Sequence, residues 1–182
     1  MKWMIASDLH GSAYYCKLLL QRWEEEQADT LLFLGDILYH GPRNDLPRDY
    51  APKEVIAMLN PLADKLLCVR GNCDCEVDQM VLPFPVLADY GFLLLGGRAV
   101  YLTHGHVINK AHPLPFAKGD ILLHGHTHVP ACEDCGDFTY LNPGSVSIPK
   151  ENSPHSYMIY EDGVFSWKNL ETGETYRTFS IS

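Results

Sequence analysis

No apolar run in the 182-residue chain approaches the ~20 residues needed to cross a bilayer. The short apolar stretch at the start is interrupted by Asp8 and His10, too early for a signal-peptide core. A membrane span is therefore not expected, and the expected compartment is the cytoplasm. Basic residues are also scarce: 14 Lys and Arg stand against 23 Asp and Glu, a formal net charge of −9. Tracking a long nucleic acid takes a basic surface that displaces counterions from many phosphates, so that partner class is disfavoured. An anionic small substrate stays open, because two divalent cations would bring about four positive charges to one place.

Linkers, repeats and low-complexity segments are missing too, which leaves one domain over residues 1–182. With 46% hydrophobic residues, a chain of this length can bury a core without disulfides. Six cysteines are present, at 16, 68, 73, 75, 132 and 135, and nothing places them in an oxidising compartment. Cys16 and Cys68 lie in apolar stretches and read as core residues. Cys132-Glu133-Asp134-Cys135 has the spacing of half a zinc site or of a redox pair, but no second pair completes the site. A polar turn carrying two thiols is the simpler expectation.

The apolar pattern gives a strand over residues 2–7 and a helix over about 13–27 with Ser12 as its N-cap. A strand buried on both faces follows over 30–35. Residues 41–52 read as a Pro-rich loop, 53–63 as a helix interrupted by Pro61, and 65–70 as a third strand. This β-α-β-α-β opening implies parallel strands with crossover helices. Beyond residue 86 the pattern turns to short strands at 92–95, 99–103, 120–124, 138–141, 156–161 and 164–169, the last two joined by the hairpin signal Asp162-Gly163.

Ligand-type residues stand at the strand ends: Asp8 and His10, then Asp36, Asn72, His104, and finally His126 and His128. In a largely parallel sheet the carboxyl ends share one edge, where open α/β folds bind ligands. Any one of these residues alone reads as a turn, cap or structural group. Five segments delivering seven oxygen and nitrogen donors to one edge are hard to explain by turns. Carboxylate, amide and imidazole donors suit Mn, Fe, Zn or Ni.

The motifs Asp8-Leu9-His10, Gly35-Asp36, Gly71-Asn72-Cys73-Asp74, Thr103-His104-Gly105-His106 and Gly125-His126-Thr127-His128 resemble, in order, those of the calcineurin-like metallophosphoesterase superfamily. Gly41-Pro42-Arg43-Asn44 and Asn142-Pro143-Gly144-Ser145 make the chain similar to its small bacterial YfcE-type phosphodiesterases. The resemblance implies an αββα sandwich, two mixed β-sheets flanked by helices. It implies two divalent ions, manganese first, with Zn, Fe or Ni as alternatives. One would be held by Asp8, His10, Asp36 and His128; the other by Asp36, Asn72, His104 and His126, with Asp36 bridging.

The implied chemistry is in-line attack on phosphorus by a hydroxide bridging two cations about 3.5–4 Å apart. Many members of the superfamily carry His where this chain has Cys73. A thiol, with a reference pKa of about 8.5 against about 6.5 for imidazole, is the poorer general acid. The resemblance makes Cys73 and Asp74 the candidate catalytic pair, since that His, paired with the following Asp, protonates the leaving oxygen or binds the phosphate; passive packing is the alternative for Cys73, and diesters are the expected substrates. Asn72, His106, His40 and Arg43 are the candidate substrate-binding residues. The expected partner is a small phosphodiester, with homo-oligomerisation through apolar edge strands. Two other functions share the motifs: a nuclease, and a non-catalytic metal-binding scaffold.

Overall fold

Buried strands alternate with amphipathic helices through the first half of the chain, in the order its apolar pattern predicts. The computed structural model describes residues 1–181. Lys2–Ala6 forms β1, Ala13–Glu26 α1, Thr30–Phe33 β2, Pro52–Leu59 α2, Leu66–Cys68 β3 and Glu76–Val81 α3. The second half adds β4 (Gly91–Leu95), β5 (Arg98–Thr103), β6 (Asp120–His124), β7 (Ala131–Asp134), β8 (Phe138–Asn142), β9 (Ser156–Glu161), β10 (Val164–Asn169) and β11 (Thr175–Ser180). Ser12 caps α1 by accepting the Tyr15 N–H, and Pro61 falls where α2 tightens into a 3-10 turn over Asn60–Lys65.

Two mixed sheets result, where strand-end reasoning alone had assumed one. The first has the order β11-β10-β9-β1-β2-β3 and the second β4-β5-β6-β8-β7. β1, β2 and β3 run parallel, as do β5, β6 and β8, while the flanking strands are antiparallel. β9 and β10 meet through Asp162-Gly163, both at positive φ (48° and 82°) as a two-residue hairpin requires.

The layers follow from which face each strand makes apolar. Met4, Ala6, Leu31 and Phe33 pack outward under Leu19 and Trp23 of α1 and Val55 and Leu59 of α2. Trp3, Ile5, Leu32 and Leu34 point the other way, into Val100, Leu102, Ile121 and Leu123 of the second sheet. The outer face of the second sheet, with Leu122 and Tyr140, is covered by Ile108 and Phe116 of the 104–119 connection. That connection carries no helix, so the fourth layer of the expected sandwich is here a loop.

Three elements lay outside the sequence expectation. α3 is short, and β11 is almost wholly exposed and shows no apolar alternation. Cys132 lies in β7, an edge strand paired with β8 from Ala131↔Asn142 to Asp134↔Thr139, and not in a polar turn. Its exposed Glu133 and Asp134 hid the strand. All six cysteines are free, with Cys16 and Cys68 buried. Among the described residues no helix is long and apolar enough to cross a membrane. β4, an edge strand of the second sheet, leaves Phe92 and Leu94 exposed.

Trp167 of β10 ties the sheets together: its Nε1–H donates to the Asn142 carbonyl of β8 at 2.6 Å, deep in the inter-sheet core. Trp167→Phe is expected to lower stability by about 1–3 kcal/mol, read by urea denaturation.

Candidate metal centre

The carboxyl ends of β1 and β2 are zipped together beyond the strands, Asp8 N–H to the Gly35 carbonyl at 3.1 Å and His10 N–H to the Asp36 carbonyl at 2.9 Å. The next strand end comes in just as close. A side chain at Gly35 (φ +93°) would strike Gly71 backbone atoms at 2.5 Å, and one at Gly71 would strike Asp36 Oδ1 at 2.1 Å. Only paired glycines let these two turns touch. Asp8, His10, Asp36, His126 and His128 all sit at positive φ, from 49° to 66°. Asp and His tolerate that region better than most residues, yet each still costs about 1–3 kcal/mol unless its surroundings hold it.

Backbone carbonyls fix the imidazoles. His10 Nδ1 lies 2.8 Å from the Tyr39 carbonyl, His104 Nδ1 2.6 Å from that of Leu34, and His128 Nδ1 2.6 Å from that of Ile148. A carbonyl only accepts, so each Nδ1 donates a proton to it, and each Nε2 is turned inward. There His10 Nε2 and His128 Nε2 stand 3.3 Å apart. On the other side His104 Nε2 lies 3.1 Å from Asn72 Oδ1 and 3.2 Å from His126 Nδ1. All seven donors expected from the sequence therefore meet at one place.

Between the imidazoles lie the two carboxylates. Asp8 Oδ2 accepts the His126 N–H at 3.1 Å, while Oδ1 is buried with no hydrogen-bond partner. Oδ1 faces His128 Nε2 at 3.3 Å, His10 Nε2 at 3.7 Å and His104 Nε2 at 4.0 Å. Asp36 Oδ2 lies 3.3 Å from His104 Nε2 and 3.7 Å from His10 Nε2. Burial alone would raise the Asp8 carboxyl, but contact with His128 and the charge of His104 outweigh it and hold it below the ordinary range. Burial likewise opposes a charge on His104, yet Asp36 and Asp8 push that imidazole up to about 9. For His126 burial wins, with His104 adding to it, and the pKa falls to about 4. An orphaned buried carboxylate oxygen amid inward-facing imidazole Nε2 atoms fits a cation. Two overlapping groups, Asp8-His10-His128 and Asp8-Asp36-His104, bring their ligand atoms within 4.8 Å of one another.

Behind the donors, Asp74 is buried and organises backbone. Its Oδ2 accepts from Asp36 N at 2.8 Å and Gly71 N at 2.7 Å, and its Oδ1 from Ile37 N at 3.0 Å. Burial and the Asp36 charge raise its carboxyl to about 6 against the pull of these three donors. Ser145 and Ser147 hydroxyls donate to the Asp8 carbonyl at 2.9 and 3.0 Å, so the Asn142-to-Ser145 turn buttresses β1. The Cys73 sulfur comes within 4.8 Å of ligand atoms on His10 and Asp36, which adds a thiol to a donor set expected to have none. Burial and the Asp36 carboxylate push that thiol well above its usual value, so it keeps its proton.

The donors open into a cleft of about 430 Å³ lined by Arg43, Asn44, Cys73, Thr127 and Lys150. Arg43 reaches it as expected. His40 does not line it; its ring packs edge-on between Tyr39 and Tyr50 at 4.7 and 5.1 Å. His106 sits beside the donors, its ring 5.4 Å from that of His104. Lys150 went unnoticed in the sequence, where a lone lysine past a turn carries no signature. The orienting carbonyls of Leu34, Tyr39 and Ile148 have no side-chain signature at all.

Comparison with known proteins gives the family and the fold. The profile of the calcineurin-like phosphoesterase superfamily domain matches residues 1–162. Phosphodiesterase YfcE of Escherichia coli strain K12 is 46% identical over 166 residues, covering 91% of this chain and 90% of that protein. The probable metallophosphoesterase YsnB of Bacillus subtilis strain 168 is 25% identical over 87% of this chain and 83% of that one. The solved structure of Yfce, a phosphoesterase from E. coli, superposes with a TM-score of 0.96 at 43% identity, covering 100% of both chains. Vps29 of Entamoeba histolytica, solved in complex with zinc, shares the fold at a TM-score of 0.66 and 21% identity over 100% of both chains.

Asp74→Asn sets an amide N–H against at least one backbone N–H. It is expected to cost about 1–3 kcal/mol in urea unfolding run with chelator, so that metal binding does not contribute to the reading.

Proposed function

From the premise that this chain belongs to the calcineurin-like phosphoesterase superfamily, we propose that it is a phosphodiesterase working at a dinuclear metal centre. The observation that carries this reading is the convergence of Asp8 and Asp36 with four imidazoles, three of them locked by backbone carbonyls with Nε2 facing inward. Asp8, His10, Asp36 and His128 would hold one divalent cation, and Asp36, Asn72, His104 and His126 the other. Manganese is the first choice, with Zn, Fe or Ni as alternatives. Two such cations would clamp the phosphoryl oxygens and acidify water, so that hydroxide is available for in-line attack on phosphorus.

The chain's own groups do the rest. Arg43 and Lys150 bring positive charge to the cleft, where the anionic phosphoryl oxygens need it. The Asn72 amide N–H now donates to Cys73 Sγ at 3.2 Å and is free to turn to substrate, since that bond is weak. His106 stands beside His104 at the edge of the site. Asp74 is a positioning residue: it fixes the backbone at Asp36 and Gly71 and faces away from the cleft, which does not count it among its walls. Cys73, a weak hydrogen-bond donor, stands where many superfamily members carry an imidazole that can protonate a departing oxygen. That favours esters whose leaving group departs without protonation, and gives little help with the second charge of a monoester.

A small diester in a cytoplasmic setting is the substrate class this reading assigns. The nuclease reading lacks the basic surface a polymer needs, given the net charge of −9. The scaffold reading predicts gaps among the ligands, whereas all seven positions are filled.

Thorough chelation is expected to abolish cleavage of bis(p-nitrophenyl) phosphate, and Mn²⁺ to restore it. Asp36→Asn should lower kcat by at least about a hundredfold. Full activity after metal removal would defeat the proposal, and inactivity with metals bound would favour the scaffold. Cys73→His is expected to raise the ratio of monoester to diester cleavage, measured on p-nitrophenyl phosphate and its bis ester. An unchanged ratio would sink the role given to Cys73.

A further inference from the structure

His126 and Thr127 form a ridge with a cavity on each side. On one side is the cleft already described, about 430 Å³, which carries Arg43 and Lys150. On the other is a second cavity of about 680 Å³ over the edge of the second sheet, which His126 and Thr127 also line. His106, beside His104, stands on its wall as well. The same imidazole that would bind the metals therefore borders both cavities.

The two differ in chemistry. Charge in the second cavity balances: Lys110 and Arg177 are matched by Glu133 and Glu151, and Lys110 already pairs with Glu133 at 2.7 Å. Val129, Pro130 and Ala131 give it an apolar patch, and Asn109, Thr127 and Tyr140 add uncharged polar groups to the wall. A cavity of this size, with as many acidic as basic side chains, suits a neutral organic group as large as a nucleoside better than a further anion.

A phosphodiester differs from a monoester in carrying two organic substituents, and the donors stand between two cavities. We infer that the cavity beyond His126 and Thr127 is the subsite for one substituent of the diester, and that it takes a neutral one of nucleoside size. This inference rests on the phosphodiesterase reading. It gives the diester preference a geometric source separate from Cys73, because a monoester can fill only one side.

The test uses the full chain loaded with Mn²⁺ and p-nitrophenyl diesters that release the same p-nitrophenolate, so leaving-group chemistry is constant. For the wild type, thymidine 5′-(p-nitrophenyl phosphate) should show a KM about tenfold below that of methyl p-nitrophenyl phosphate. A 3′-phosphate added to the thymidine ester should raise its KM about tenfold. Ala131→Trp fills the cavity from β7, and Glu133→Trp, at an exposed position of the same strand, does so should the first fail to fold. Either should raise the KM of the thymidine ester about tenfold relative to that of the methyl ester, with kcat for the two moving together. Equal KM values in the wild type, or an equal shift of both esters in the folded variants, would overturn the subsite. A 3′-phosphorylated ester bound as well as the plain one would overturn its neutrality. Wild-type inactivity on every diester with Mn²⁺ bound would instead defeat the phosphodiesterase reading, and the subsite with it.

Discussion

One buried oxygen sets the terms for the site. Asp8 Oδ1 has no hydrogen-bond donor, no solvent, and three imidazole Nε2 atoms around it. Those nitrogens cannot all relieve it, because the carbonyls of Tyr39, Leu34 and Ile148 claim the Nδ1 protons. Two carboxylates and several ring nitrogens thus crowd one buried place, an arrangement that calls for positive charge among them. The rise of His104 to about 9 is the same demand for positive charge expressed through a proton. A protein folding only for stability would not gather these groups. Their cost is one reason to read the site as built for cations.

Holding such an arrangement falls to the frame around it. The parallel cores of both sheets deliver the donors, β1 to β3 from one and β5 and β6 from the other, so neither sheet alone carries the site. The inter-sheet core of Ile5, Leu32, Val100 and Leu123 therefore fixes the distance between the two halves of the donor set. Closer in, five of the candidate donor residues sit at positive φ and are restrained by hydrogen bonds from neighbouring turns. Asp74 gathers three N–H groups behind Asp36, and two serines brace the Asp8 carbonyl. Packing places the strands to within a few ångströms, and these polar contacts aim the side chains.

Much of this was legible in the sequence, for identifiable reasons. Strands buried on both faces, such as Leu31 to Phe33, announce themselves by apolar continuity. The ligands follow them directly, at a turn where Gly35 and Gly71 mark close contact. The donor set could thus be named residue by residue. What escaped was structure without apolar periodicity. β11 is exposed along nearly its whole length, and β7 shows Glu133 and Asp134 to solvent, so neither alternates. His40 illustrates a different limit: a histidine four residues past Asp36 has the composition of a binding loop, but Tyr39 and Tyr50 enclose its ring. Which side of a loop residue faces the cleft depends on tertiary neighbours that local sequence does not contain.

The proposed preference for diesters draws on two features that do not depend on each other. One is chemical: the half-buried Cys73 thiol stands beside Asp36 where an imidazolium would offer a proton and would also supply positive charge. The other is spatial: a balanced, partly apolar cavity lies across the His126-Thr127 ridge from the cationic cleft. The first acts on the departing oxygen and so belongs to kcat; the second acts on a bound substituent remote from phosphorus and belongs first to KM. Changing residue 73 can therefore widen the chemistry while the second cavity still selects for size. Filling that cavity can narrow the substrates while the reaction at phosphorus stays the same. A site divided this way needs no protein nucleophile and no large basic surface, which is consistent with an acidic chain that places only Arg43 and Lys150 at the cleft.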